Sequence, residues 1–298
     1  MKLNDLNYFC YLCKVGSFTE AAKHFNVKQP TVTLAIKRLE NSLQTQLVSR
    51  DHSQNFLQVT SSGKILYEHA IKILNEVHLA TVEINNFSQE KIRFGLPPII
   101  GNLYLPLVVP ELSENNLLQS LVVDESGSEQ LTQDLLSGEI DIALLGSYSP
   151  FNDSRLAATQ ITWRDFAIIS SNKHWLKDYE KVSFSDLKDE KFITLDSKFI
   201  HRQVLEHYSN EAGFTPNIIF KTQSISILKR MVEQNSGIAL LVGDAVALGD
   251  QLKCTPLTDV FAEKFNISIV TRKNYLLKER EWELVTQLLK IKDKVHNS

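Results

Sequence analysis

The sequence predicts an α/β protein in three parts: an N-terminal winged helix-turn-helix, a long linker helix, and a two-lobed α/β body. Three observations carry this. Two short helical patterns meet across a tight turn between Ser17 and Leu47. Apolar residues at steps of 4, 3, 4, 3, 4 and 3 then run from Leu66 to Phe87. From Lys91 onward, strand-like and helix-like segments alternate, an order that implies a parallel sheet covered by helices.

The elements follow in order. Leu3, Leu6, Phe9, Leu12 and Cys13 line one face of a first helix, ended by Gly16. Ser17 and Glu20 have the S-x-x-E spacing of a capping box and open a second helix. Its inward residues are Phe18, Ala21, Ala22 and Phe25, and the two alanines let another helix cross closely. Asn26-Val27-Lys28 breaks that helix. Pro30 stands in the first turn of the third, where its missing N–H costs little. Val32, Ile36, Leu39 and Leu43 are its expected buried stripe; Thr31, Thr33, Leu34, Lys37 and Arg38 face out. An amphipathic helix pair is often plain core. A steep pair whose second helix presents hydroxyls and cations is suited to a DNA major groove.

Gln46–Arg50 and Phe56–Val59 read as strands joined by the polar turn 51–55, a wing to lie along the phosphate backbone or minor groove. Thr60-Ser61-Ser62-Gly63 starts the long helix. Its seam of Leu66, Ala70, Ile73, Val77, Ala80, Ile84 and Phe87 has heptad rather than 3.6-residue spacing. Pairing two chains along it places two recognition helices on two half-sites. Two alanines make the seam weak by itself.

In the body, strands are expected at 91–96, 117–124, 139–145, 166–170, 192–195, 218–222, 237–242 and 264–271. Helices are expected at 99–112 with an interruption near Pro106, and at 129–136, 202–212, 225–234 and 281–295. A second α/β unit begins around 161–165, leaving a cleft between two lobes. In open α/β sheets, ligands sit outside the carboxyl ends of the strands. Here those ends supply Pro98, Ile99, Ser126, Ser147, Ser197, Thr222 and Gln223. Several are hydroxyl or amide residues at expected helix N-termini, where exposed backbone N–H groups favour an anion. The expected effector is therefore a small carboxylate held by Ser126, Ser197, Thr222 and Gln223, although Ser and Thr at such places also serve as plain caps.

The 298 residues suggest two or three domains, with 43% hydrophobic and 22% charged residues, ordinary for a soluble chain. The net charge of −3 is unevenly spread. Residues 1–60 carry seven cations against four anions, whereas the rest carries 25 against 31. A basic head on an acidic body fits a head that meets phosphate. Cys10 and Cys13 have C-x-x-C spacing inside a helical run and read as small apolar residues, not as a zinc or redox site. The start of the chain has no signal-peptide core and no apolar run nears the length of a membrane span. A cytoplasmic protein is expected, with no membrane contact. The eight histidines are scattered, and no phosphate loop, G-x-S-x-G or metal constellation stands out. Neither an enzyme nor a cofactor is expected. The rival is a two-lobed solute-binding or sensor protein without DNA function, which explains residues 91–298 but not the head.

The N-terminal stretch resembles the LysR-type transcriptional regulators. The match is carried by Leu6, Phe9, Gly16-Ser17-Phe18, Ala21-Ala22, Gln29-Pro30, Thr33, Ile36, Leu39-Glu40, Leu43, Leu47, Arg50 and Thr60-x-x-Gly63. The body is similar in length and order to the effector domain of that family, with Gly138-x-x-Asp141 as a weaker sign. The resemblance implies a dimerising linker helix and a two-lobed domain similar to periplasmic binding proteins. It also implies dimers or tetramers that act on double-stranded DNA, and on RNA polymerase, in response to a small molecule. More narrowly, the chain is similar to regulators of malolactic fermentation, which makes L-malate a candidate. The implied division is 1–60 for DNA binding, 61–89 for the linker and 90–298 for the effector domain. Lobe I would hold 90–162 and 267–298, and lobe II 163–266; the return to lobe I rests partly on the resemblance. Two positions depart from the family. Lys28 stands where a small N-cap is usual, losing about 1 kcal/mol of capping but offering a phosphate contact. Leu34 stands where a basic residue is frequent; it has no donor for guanine and is left with a thymine methyl or with packing. Gln29, Pro30, Thr33 and Lys37 are the expected base-edge residues, with Lys28, Thr31, Arg38 and Arg50 on phosphates.

Overall fold

The computed structural model describes residues 1–51, 56–87, 89–247, 249–261 and 263–296. Two compact units emerge, Met1–Ser88 and Gln89–Ser298.

In the first unit, α1 (Leu3–Val15) stops at Gly16, whose φ of +68° favours glycine. The Ser17 hydroxyl accepts the Glu20 N–H at 3.3 Å and opens α2 (Phe18–His24). α3 (Gln29–Leu43) starts at Lys28, which makes no side-chain cap, with Pro30 in the first turn. A hairpin of β1 (Val48–Asp51) and β2 (Phe56–Val59) follows, with Val48 opposite Val59. The turn expected between them lies, beyond Asp51, outside the described residues. α4 (Ser61–Asn86) closes the unit. Leu6, Phe9, Leu12, Ala21, Ala22, Val32, Ile36, Leu39, Leu47, Leu66 and Ala70 form one core. Leu43 departs from the expected stripe and is 43% exposed. The helix ends directly after it, at a left-handed Gln44, so no next turn covers it.

The second unit holds two lobes. In the first, the sheet order is β4-β3-β5-β12-β6, from β3 (Ile92–Gly95), β4 (Leu121–Asp124), β5 (Ile142–Ser147), β6 (Leu156–Arg164) and β12 (Phe265–Arg272). β3 runs parallel to β4 and β5, while β12 is antiparallel to β5 and β6. The sheet is thus mixed, not parallel as expected. β12 alone runs against the other four strands, because the chain re-enters this sheet at Phe265, beside the ends of β5 and β6. β6 itself was not expected, because most of its middle is exposed and it lacks alternation. Around this sheet pack α5 (Pro98–Leu103), α6 (Val109–Glu114), α7 (Ser128–Ser137), α10 (Glu279–Leu289) and α11 (Ile291–His296). The single helix expected at 99–112 is split by a 3-10 turn over Leu105–Val108, around Pro106.

In the second lobe, β10 (Ala239–Val242), β7 (Phe166–Ser171) and β11 (Leu252–Pro256) pair antiparallel. β8 (Lys191–Leu195) and β9 (Asn217–Thr222) pair in parallel. A bridge from Phe192 to Ile238 joins the two groups. α8 (Ile200–Glu211) and α9 (Ile225–Glu233) cover them. The chain passes between lobes at Asp165 and returns just before Phe265. Asp141, 2% exposed, receives Arg93 through two bonds of 2.9 and 2.6 Å and Arg272 at 3.3 Å. That buried cluster is the physical content of the Gly138-x-x-Asp141 pattern.

Candidate functional site

α3 presents Pro30, Thr31, Leu34, Lys37 and Arg38 to solvent. Gln29 and Thr33, one turn apart, are half-buried and bonded to each other. Lys28 and Lys37 form no ion pair with any described residue. Arg38 differs from expectation. Its Nε donates to Asp5 Oδ2 at 3.2 Å and its Nη2 to Asp5 Oδ1 at 2.5 Å. The Asp5 carboxylate is 2% exposed, so this bidentate pair braces α1 against α3. The hydrogen bond to Asp5 holds the Arg38 guanidinium even more firmly protonated than usual. Its fork is therefore committed to the protein and not free for phosphate. The Arg50 backbone lies in β1 opposite Leu57, and its side chain lies outside the described residues.

Three motif residues anchor the wing, a role the sequence did not reveal. Glu40 Oε1 accepts the Leu47 N–H at 2.9 Å and the Val48 N–H at 3.4 Å. The Thr60 hydroxyl donates to Gln46 O at 2.7 Å and accepts the Gly63 N–H at 3.0 Å. At Gly63, a Cβ would sit 2.2 Å from Leu47 O and 2.8 Å from Val59 Cγ1. Only glycine lets α4 start this close to the hairpin.

In the second unit, a cavity of about 400 Å³ opens between the lobes. One side is Pro98, Asn102, Glu125, Ser126 and Gly127; the other is Lys198, Phe199, Gln223, Ser224, Ile225 and Ser226. Of the expected residues, Pro98, Ser126 and Gln223 line it. Ile99 does not: it is 3% exposed inside the lobe core. The Ser147 hydroxyl is buried with no hydrogen-bond partner among the described residues and is not on the wall. Ser197 is exposed beside the wall, and the Thr222 hydroxyl accepts the Ser224 N–H at 3.1 Å, a turn contact. Lys198, Asn102 and Glu125 were missed. The strand-end rule reached Ser197 and stopped one residue short of the ammonium. Gly127, the N-cap of α7, and Ser224, the N-cap of α9, both lie on the cavity wall. These helix starts and Lys198, which forms no ion pair with a described residue, attract negative charge, while the Glu125 carboxylate on the facing wall opposes it. The lobes nearly touch here: a Cβ on Gly127 would lie 2.6 Å from Lys198 O.

Elsewhere, burial pushes the Cys10 thiol up to about 11 and the Cys13 thiol up to about 12, so both are poor nucleophiles. Among the described residues no group of His, Cys, Asp or Glu is placed to hold a metal. Nor is any helix there long and apolar enough to cross a membrane.

A DNA-suited helix-turn-helix in one unit and a polar interlobe cleft in another define a ligand-responsive transcriptional regulator. Comparison with known proteins makes this specific. Residues 3–64 match the bacterial regulatory helix-turn-helix protein model of the lysR family, and residues 85–291 match the LysR substrate binding domain. The malolactic fermentation system transcriptional activator of Lactococcus lactis subsp. lactis (strain IL1403) is 31% identical over 284 residues, covering 94% of this chain and 96% of that protein. Two solved structures share the fold. HinK, a LysR family regulator from Pseudomonas aeruginosa, has a TM-score of 0.58 at 24% identity and covers 99% of both chains. The effector binding domain of QuiR in complex with shikimate has a TM-score of 0.59 at 16% identity, over 68% of this chain and 97% of that one. The chain belongs to the LysR family: it is a DNA-binding transcriptional regulator whose activity is modulated by a small-molecule effector.

Proposed function

We propose that this regulator binds its operator through α3 of paired copies and that a small organic acid in the interlobe cleft changes that binding. The observation that carries the effector class is Lys198, an ammonium without an ion pair among the described residues, beside the starts of α7 and α9. Pro98, Asn102, Ser126 and Gln223 supply the neutral polar and shape contacts. The 31% identity to a malolactic fermentation activator makes L-malate the first acid to test.

On the DNA side, Gln29, Pro30, Thr33 and Lys37 are the proposed base-edge group, with Lys28, Thr31 and Arg50 on phosphates. Arg38 is reassigned to bracing. Residues 61–89 form the pairing segment between a DNA-binding domain at 1–60 and an effector domain at 90–298. α4 supports this: Leu66 and Ala70 belong to the head core, but Ile73, Val77, Ile84 and Phe87 are exposed, the last two at 73% and 76%. An apolar row of that length facing water suits a second copy of the same helix. The regulator acts in the cytoplasm, without catalysis, through RNA polymerase at its promoter.

The test is a footprint on DNA upstream of the gene, with and without L-malate and other small dicarboxylates. Protection of two half-sites that shifts with one of the acids is the expected result. If no acid alters the footprint or the melting temperature, the organic-acid reading is wrong, while protection alone still upholds operator binding.

A further inference from the structure

The recognition helix carries a leucine for which the fold has no use. Leu34 is 56% exposed. Its neighbours one turn away on the helix, Pro30, Thr31, Lys37 and Arg38, are all exposed too, so no apolar residue of α3 shelters it. The head core on the opposite side of α3 is complete with Val32, Ala35, Ile36 and Leu39. Packing, one of the two roles open to this residue, is therefore not what it does.

The polar groups around it are fewer than the sequence suggests. The Arg38 fork is held by Asp5, and Gln29 spends one Nε2–H on the Thr33 hydroxyl at 3.0 Å, so that pair addresses its own base edge beside Leu34. Lys37 and the Thr31 hydroxyl remain on the same face. An exposed leucine inserted in a major groove displaces water from base edges while offering them no hydrogen bond. Wherever it meets an N–H or C=O, that group loses a partner. One feature of the major groove suits it: the C5-methyl of thymine, which no other base carries.

We propose that Leu34 is a specificity residue that reads a thymine methyl at one fixed position in each operator half-site. The inference rests on the reading of α3 as the helix that enters the major groove. Leu34 thereby substitutes apolar readout for arginine–guanine readout, and the half-site carries a T·A pair at that position.

The test uses the full-length protein and needs no prior operator. A duplex is enriched from a random library, and each thymine in its half-sites is replaced in turn by deoxyuridine, which removes only the methyl. Affinity is read by fluorescence anisotropy for the wild type, Leu34→Ala and Lys37→Ala. At one position, wild-type affinity should fall about fourfold per half-site, the effect of one buried methyl group. Leu34→Ala should show no uracil penalty at that position and, since the side chain is exposed, should melt where the wild type does. The proposal is overturned if uracil is neutral at every thymine, or if Leu34→Ala keeps the wild-type penalty. Failure of the underlying reading looks different: Lys37→Ala would then leave binding to both the enriched and random duplexes unchanged.

Discussion

The Gln29 amide donates to the Thr33 hydroxyl at 3.0 Å across one turn of α3, and that hydroxyl turns back to the Gln29 carbonyl at 3.3 Å. The two foremost base-reading candidates are thus one unit, set in place before DNA arrives. Gln29→Ala and Thr33→Ala should each weaken enriched DNA more than random DNA. The double variant should lose less than the sum of the two, with a coupling of about 0.5–1 kcal/mol. Anisotropy titrations on both duplexes provide the cycle. Equal losses on the two DNAs would remove both residues from base readout.

Lys37 and Arg38 are adjacent cations with different tasks. Lys37→Ala should lower the slope of log K against log salt by about one. Arg38→Ala should leave that slope unchanged and instead lower the melting temperature by several degrees, because it strands the Asp5 carboxylate, which is 2% exposed. Salt titrations paired with thermal melts separate the two. A reduced slope in Arg38→Ala would return that residue to the phosphate set.

Gly63→Ala tests the wing anchor. The new methyl would lie 2.2 Å from Leu47 O, and two backbone segments must part to admit it. Overpacking of this kind costs about 1–3 kcal/mol. DNA affinity should drop together with the stability of the head, while acid binding in the cleft persists. Wild-type DNA affinity in this variant would show that the α4–hairpin junction does not hold the wing.

His201 predicts an acid dependence in the second unit. It is 2% exposed between Phe166 and Phe265, and neither ring nitrogen has a hydrogen-bond partner among the described residues. Burial pushes its pKa down to about 3. The unfolded chain takes up a proton there below about pH 6.5, which the folded chain refuses until near pH 3. Stability contributed by this site should thus fall as pH drops through that window, by at most about 1.4 kcal/mol per pH unit. Urea unfolding of the wild type and His201→Phe at pH 7, 6 and 5 should give a gap that moves in the variant's favour with acid. A gap independent of pH would mean that the imidazole titrates as freely in the fold as out of it.

How much of this was legible follows from where the signals are local. The head could be read because Ser17, Pro30 and the apolar spacing act within a turn or two of the chain. The strands β5 and β7 could be read because each holds an unbroken apolar run, Ile142 to Leu145 and Phe166 to Ile169. β6 and β11 could not: one lies mostly exposed along a sheet edge and the other ends at Pro256. The mixed direction of the first sheet depends on a return from the far end of the chain, which no local pattern encodes. At the sites, residue type was visible but commitment was not. Arg38 looked like its neighbour Lys37 until Asp5, 33 residues upstream, was found in its fork. Lys198 was hidden for the opposite reason, since a lone lysine after a serine carries no pattern.

The division of α4 has a consequence for how the regulator senses its surroundings. Leu66 and Ala70 are buried within one chain, whereas Ile84 and Phe87 are exposed, and under the proposed pairing a second chain covers them. Occupancy of DNA by the paired form then follows mass action, and dilution empties the operator without any change in the effector. Copy number becomes an input in its own right, beside whatever the effector contributes.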